Sequence, residues 1–176
     1  LQGYHAGAKT MVPVKLNQGV STDATICDDL TVELYTAANI TANTPGPYTP
    51  DYIASATITT NGSLVTQLPA GFLGNQYWIA LNHRNHIKTW SAAPLTIQEY
   101  TLYDFTNAAN KAYGANQTQV GNGVWAFYSG ELVQDENIDL NDIVLLEAGI
   151  LNFDFGYQTA DLDGNGNVEL ADVPFV

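Results

Sequence analysis

Between Asp161 and Asp172 the chain sets oxygen-bearing side chains at the first, third, fifth, ninth and twelfth places of a twelve-residue stretch: Asp161, Asp163, Asn165, Glu169 and Asp172. That spacing suits a hard divalent cation, which takes six to eight oxygens from a short loop, including a backbone carbonyl at the seventh place, here Asn167. Gly166 stands sixth, where a sharp turn needs a residue free to take unusual dihedrals. Val168, eighth and apolar, is expected to face a core and tie the loop to the fold. The twelfth residue is Asp where the helix-loop-helix calcium motif carries Glu, and the shorter carboxylate can still ligate. The expectation is a calcium loop; the alternative is a solvated acidic turn.

A weaker copy lies thirty residues upstream. Glu131, Asp135, Asn137, Asp139 and Asp142 align with Asp161, Asn165, Asn167, Glu169 and Asp172, and Ile138 falls under Val168. Val133 replaces the third ligand and cannot coordinate, and Glu136 replaces the glycine. Water filling the vacancy would cost affinity. One or two calcium ions are therefore expected.

The elements that must position these loops are short. Residues 140–151 read as a helix leaving the first loop, with apolar residues at 143, 146, 150 and 151 on one face and Gly149 weakening its interior or marking its end. Phe153, Phe155 and Tyr157 are expected to supply aromatic packing. After Asp172 only Val173, Pro174, Phe175 and Val176 follow, too few for a matching second helix. Residues 129–176 hold 11 of the 18 acidic residues and none of the five Lys and Arg, so −11 of the net −13 falls there. Such self-repulsion is relieved by bound cations, and metal binding then becomes folding free energy. The same charge argues against nucleic acid and anionic membranes, which need a basic face.

Residues 1–128 read as an antiparallel β-domain, and 129–176 as the tandem loop unit. Strand candidates are 11–16, 30–35, 52–58, 63–66, 76–81, 88–91, 95–97 and 101–105, several alternating apolar with polar. Turns are marked by Asn61-Gly62, Pro69-Ala-Gly71 and Thr44-Pro45-Gly46-Pro47. Seven or eight strands so spaced suggest a two-sheet sandwich, with Pro13 at an edge or bulge. No apolar run approaches the length of a membrane span. The start at Leu1, without initiator Met or signal peptide, reads as a processed or excised segment.

Catalytic chemistry is scarce. His83, Arg84 and His86 read as a polar turn rather than a transition-metal site, and Asp28-Asp29 as a capped or solvated one. No nucleophile elbow, phosphate loop or zinc signature occurs, and the lone Cys27 cannot form an internal disulfide. Tyr77, Trp78, Trp90, Tyr100 and Tyr103 suit either a sugar platform or a sandwich core.

The doubled loop ending in Asp resembles the dockerin-type calcium repeats of cellulosomal enzymes. More closely, Leu16-Asn-Gln-Gly-Val20, Thr31-Val-Glu-Leu34, His83-Arg-Asn85 with Thr89-Trp-Ser91, Tyr103-Asp-Phe-Thr106 with Lys111-Ala-Tyr-Gly114, and Trp125-Ala-Phe-Tyr-Ser-Gly130 are similar to a module of large secreted surface proteins from Bacteroidetes-type bacteria. The resemblance implies a β-sandwich of the prealbumin or collagen-adhesin-repeat kind followed by two dockerin-like loops. It implies a non-catalytic, extracellular structural or adhesive role with no catalytic residues to carry over. Loops of that family usually read Asp-x-Asn-x-Asp-Gly, from which Glu131, Val133 and Glu136 depart. Expected partners are copies of the chain or other surface proteins, with residues 1–10 able to add to a neighbour's sheet edge. The alternative is a dockerin-type or carbohydrate-binding module that docks a partner or a glycan.

Overall fold

The computed structural model describes residues 1–40 and 48–176. The turn expected at Thr44-Pro45-Gly46-Pro47 lies outside them.

The chain is mainly β, and every strand pairing among the described residues is antiparallel. In order come β1 (His5–Gly7), β2 (Thr10–Met11), α1 (Val14–Asn17), β3 (Ile26–Thr36), β4 (Tyr52–Thr59), β5 (Gln76–His83), β6 (His86–Trp90), β7 (Leu95–Thr96), β8 (Thr118–Gly121), β9 (Val124–Ala126) and α2 (Leu140–Asn152). The main sheet runs β4-β3-β5-β6, with β7 added to the start of β5 beyond the reach of β6, while β1-β2 and β8-β9 are separate ribbons. Among the described residues, only one sheet therefore exceeds two strands. Its Leu30, Val32 and Leu34 alternate along β3 as a half-buried strand requires, and all three are buried. They line a cleft of about 910 Å³ together with Phe105, Val124 and Phe127. No described helix is long and apolar enough to cross a membrane.

Three strand candidates change character. Residues 11–16 hold only the end of β2, because Pro13 has no N–H for a ladder. Its carbonyl instead accepts from the Leu16 and Asn17 amides, both at 3.0 Å, and opens α1. Residues 101–105 form no strand. The Asn61-Gly62 signal does make a turn, with Gly62 at φ +84°, but residues 63–66 return along β4 through a single bridge, Ile58 to Leu64. Residues 1–10 make contacts within the chain. Tyr4 is fully buried, the Gln2 amide donates to the Phe127 carbonyl at 3.1 Å, and the Val12 amide donates to that of Tyr4 at 2.9 Å.

Helix α2 forms where its periodicity predicts. Asp139 caps it, accepting from the Asn141 amide at 2.7 Å, and Asp142 reaches back to the Asp139 amide at 2.8 Å in a capping box. Phe153 ends the helix in the left-handed region. Leu146 packs with Leu132, Leu162 and Val168 in a cluster drawn wholly from residues 129–176, with Ile150 against it. Ile143 and Leu151 face outward. The aromatic packing expected of Phe153 and Phe155 is absent, for they are 84% and 76% exposed.

Candidate metal centre

The loop from Asp161 to Asp172 is shaped first by two glycines. Gly164 (φ +75°) and Gly166 (φ +97°) turn left-handed against the N-terminal segment, where a Cβ would lie 2.6 Å from Val14 Cγ2 and 2.7 Å from the Asn17 carbonyl oxygen, respectively. These turns aim backbone N–H groups inward. Gly164 and Asn165 donate to Asp161 Oδ1 at 2.8 and 3.2 Å, and Gly166 to Oδ2 at 2.7 Å. Asp172 Oδ1 accepts from Leu162 and Asp163 at 2.7 and 3.0 Å, and Oδ2 from Glu169 at 2.9 Å. Val168 is buried, as position eight requires. Its amide donates to the Asp154 carbonyl at 2.9 Å.

Three carboxylates thereby converge: oxygens of Asp161, Asp163 and Asp172 lie within 4.8 Å of one another. Asp161 and Asp172 are fully buried. Burial pushes the Asp172 carboxyl up to about 6, against the pull of the Glu169, Asp163 and Leu162 amides. It raises Asp161 too, against hydrogen bonds from Gln18 and the loop amides. Asn165 draws in a further ligand position, donating through Nδ2 to Asp163 Oδ2 at 2.9 Å and to Glu169 Oε1 at 3.1 Å. Asn167 is exposed, and its Nδ2 donates to Asn165 Oδ1 at 3.2 Å. The three converging groups and the Asn165 and Glu169 side chains beside them offer oxygen donors and no sulfur or imidazole, the chemistry of a calcium-class cation. Buried like charges need protons or a cation to coexist, so these residues fit such an ion.

In the first loop Glu131 and Asp142 are buried, whereas Asp135, Asn137 and Asp139 lie exposed. Glu131 Oε1 accepts from the Asp135 amide at 3.1 Å, and Oε2 is buried with no hydrogen-bond partner. Among the described residues, only the second loop gathers three potential metal ligands.

Of the residues that seat the second loop on the β-structure, His83, Arg84 and His86 read as a polar turn and Asp28 as a capped or solvated one. Instead His83, Asn85, His86 and Asp28 are buried. Arg84 Nε donates to Asp28 Oδ2 at 3.0 Å, Nη2 to Tyr4 Oη at 2.8 Å and to Gln18 Oε1 at 3.0 Å, and Nη1 to the Gln158 carbonyl. Its guanidinium lies 4.3 Å from the Tyr157 ring centroid, and Tyr157 Oη donates to Asp28 Oδ1 at 2.6 Å. Asn85 Nδ2 donates to the Thr159 and Asp161 carbonyls at 2.9 and 3.2 Å. Gln18 Nε2 donates to Asp161 Oδ2 at 2.5 Å, and Asn17 Nδ2 to the Gly164 carbonyl at 2.8 Å. Burial opposes the Asp28 charge, but hydrogen bonds from His83 and Tyr157 and the Arg84 charge hold its carboxyl well below the usual range. Burial keeps His83 neutral, its Nε2–H donating to Asp28 across 3.2 Å. The one sequence signal for this network was the density of polar residues at 83–86 beside a strand.

Burial pushes the Cys27 thiol up to about 12, which leaves it inert. Of the five aromatics considered for a sugar platform, Tyr77 is buried, Trp78, Trp90 and Tyr103 are half-buried, and Tyr100 alone is largely exposed. Compared with family models, curated proteins and solved structures, the chain matches none.

Proposed function

We propose that the chain is a calcium-stabilised, non-catalytic structural or adhesive module of an extracellular bacterial surface protein or fibre. In this reading the β-part is a sandwich whose second layer is residues 97–127, and 129–176 is a dockerin-like unit, as in the Bacteroidetes-type modules it resembles. The observation that supports it most is the convergence of Asp161, Asp163 and Asp172 in a loop keyed to the β-structure through Gln18, Asn17 and Asn85. Calcium would be held by Asp161, Asp163, Asn165, Glu169, Asp172 and the Asn167 carbonyl. Its role is structural: it neutralises the buried carboxylates and fixes the loop against the sheet. Thermal melts of the chain in calcium and in chelator test this, with Asp161→Asn as control. Calcium should raise the melting point of the wild type and leave that of the variant unmoved; an unchanged wild type refutes the proposal.

A dockerin-like partner-binding role draws support from one further observation. Leu140, Val144, Leu151, Phe153 and Phe155 present an apolar surface along α2 and the turn after it, each more than 60% exposed. A patch of that kind marks interaction surfaces in soluble proteins.

A further inference from the structure

We infer that Gln18 is a positioning residue for the cation site: from outside the loop, its buried amide fixes the Asp161 carboxylate in its ligating orientation. The inference rests on the calcium reading above and assigns part of the affinity to the β-structure. Gln18 is 5% exposed, and its amide is committed at both ends. Nε2 donates to Asp161 Oδ2 at 2.5 Å, and Oε1 accepts from Arg84 Nη2 at 3.0 Å. This orientation is forced chemically, because a guanidinium can only donate and a carboxylate only accept.

Arg84 cannot yield in turn, being held by Asp28, Tyr4 and the Gln158 carbonyl and stacked on Tyr157. The position-one carboxylate is thus tied, through two side chains, to a carboxylate buried in β3. Loop amides alone orient Asp161 Oδ1, whereas Oδ2 takes one loop amide and Gln18. Removing a group that orients a metal ligand typically weakens metal affinity 10- to 100-fold. By linkage, a bound ion must strengthen the docking of the loop on the sheet to the same extent.

The test is calorimetric calcium titration of the full chain and of Gln18→Met, which keeps the length of the side chain but neither hydrogen bond. The expected result is a calcium Kd weakened roughly tenfold with unchanged stoichiometry. Gln18→Asn keeps the amide but is one methylene too short to hold both partners; it should weaken binding severalfold and serves if Gln18→Met fails to fold. Asn17→Ala removes the neighbouring bond to the Gly164 carbonyl without touching a ligand side chain, and its Kd should stay within about twofold of wild type. Equal losses in the Asn17 and Gln18 variants would mean general loosening of the interface and overturn the inference. So would a Gln18 variant whose melting point falls equally with and without calcium while Kd is unchanged. A wild type that binds no calcium would instead refute the calcium reading itself.

Discussion

Asp142 and Asp172, thirty residues apart, perform the same backbone task. Each accepts through Oδ1 from the amides ten and nine residues before it (Leu132 and Val133 for one, Leu162 and Asp163 for the other), and through Oδ2 from the amide three before it. The two loops are therefore one structural unit used twice. They differ in what the unit carries: the second brings three carboxylates together, and the first keeps the shape. The carboxylate at position twelve works as a backbone clasp in both loops. Asp142→Asn should consequently destabilise the fold whether or not calcium is present. A loss of about 1–3 kcal/mol in urea melts with chelator present is expected; no loss would deny the clasp.

The first loop reaches the same shape under strain. Gln134 (φ +63°) and Glu136 (φ +71°) take the left-handed dihedrals that Gly164 and Gly166 adopt in the second. Each costs a non-glycine residue about 1 kcal/mol or more. The Glu136 contact with Lys88, at 3.9 Å and largely exposed, offsets little of this. Glu136→Gly should raise stability by about 0.5–1 kcal/mol, a rise of roughly 2–3 °C in Tm. A lowered Tm would show that the loop is not strained there.

Gly149 poses a contest between propensity and packing. In a helix interior alanine is favoured over glycine by about 1 kcal/mol. Here a Cβ would lie 2.8 Å from Val168 Cγ1 and 3.6 Å from the Ala160 Cβ, and overpacking of that kind costs about 1–3 kcal/mol. Packing should win. Gly149→Ala is expected to lose about 1 kcal/mol in denaturant melts, and a more stable variant would contradict this close approach of α2 to the loop.

Calcium linkage should depend on pH in a definite direction. In the metal-free protein Asp172 titrates at about 6 and Asp161 is also raised, so the folded state holds protons that the unfolded chain has released. Their contribution is favourable below the unfolded value of about 3.9 and is lost as pH rises through about 6. A cation reverses that loss, since it needs the ionised carboxylates. The calcium-induced rise in Tm should be large at pH 7–8 and shrink as pH falls through about 6. His83, lowered by burial, and Asp28, held low by its partners, have the opposite sign. The His83 contribution is lost as pH falls below about 6.5, and that of Asp28 below about 3.9. Both act with or without calcium, so the difference between paired melts isolates the loop. A calcium shift that grows on acidification would refute the assignment.

What was legible in the sequence was local. The spacing that brings Asp161, Asp163 and Asp172 together, the helix after Asp139, and β3 through β7 depend on residues within a few places of one another. The network that seats the loop is not local. Its partners are separated by 55 residues for His83 and Asp28 and by 143 for Gln18 and Asp161. No periodicity announces such contacts, so His83, Arg84 and His86 read as a polar turn and Asp28 as a capped or solvated one, although His83, His86 and Asp28 are buried. Phe153 and Phe155 erred in the other direction: their apolarity predicted burial, yet the left-handed end of α2 at Phe153 leaves both exposed.

The most direct test of the central claim is calorimetric titration of chelator-stripped protein with calcium at neutral pH, with melting followed on the same samples. At least one ion should bind, and at a hundredfold excess over Kd it should add about 2.7 kcal/mol, or roughly 5–10 °C in Tm. Asp161→Asn and Asp172→Asn should abolish that binding. No heat and no shift in melting at millimolar calcium would contradict the account, leaving Asp161, Asp163 and Asp172 a buried acidic cluster held by protons alone.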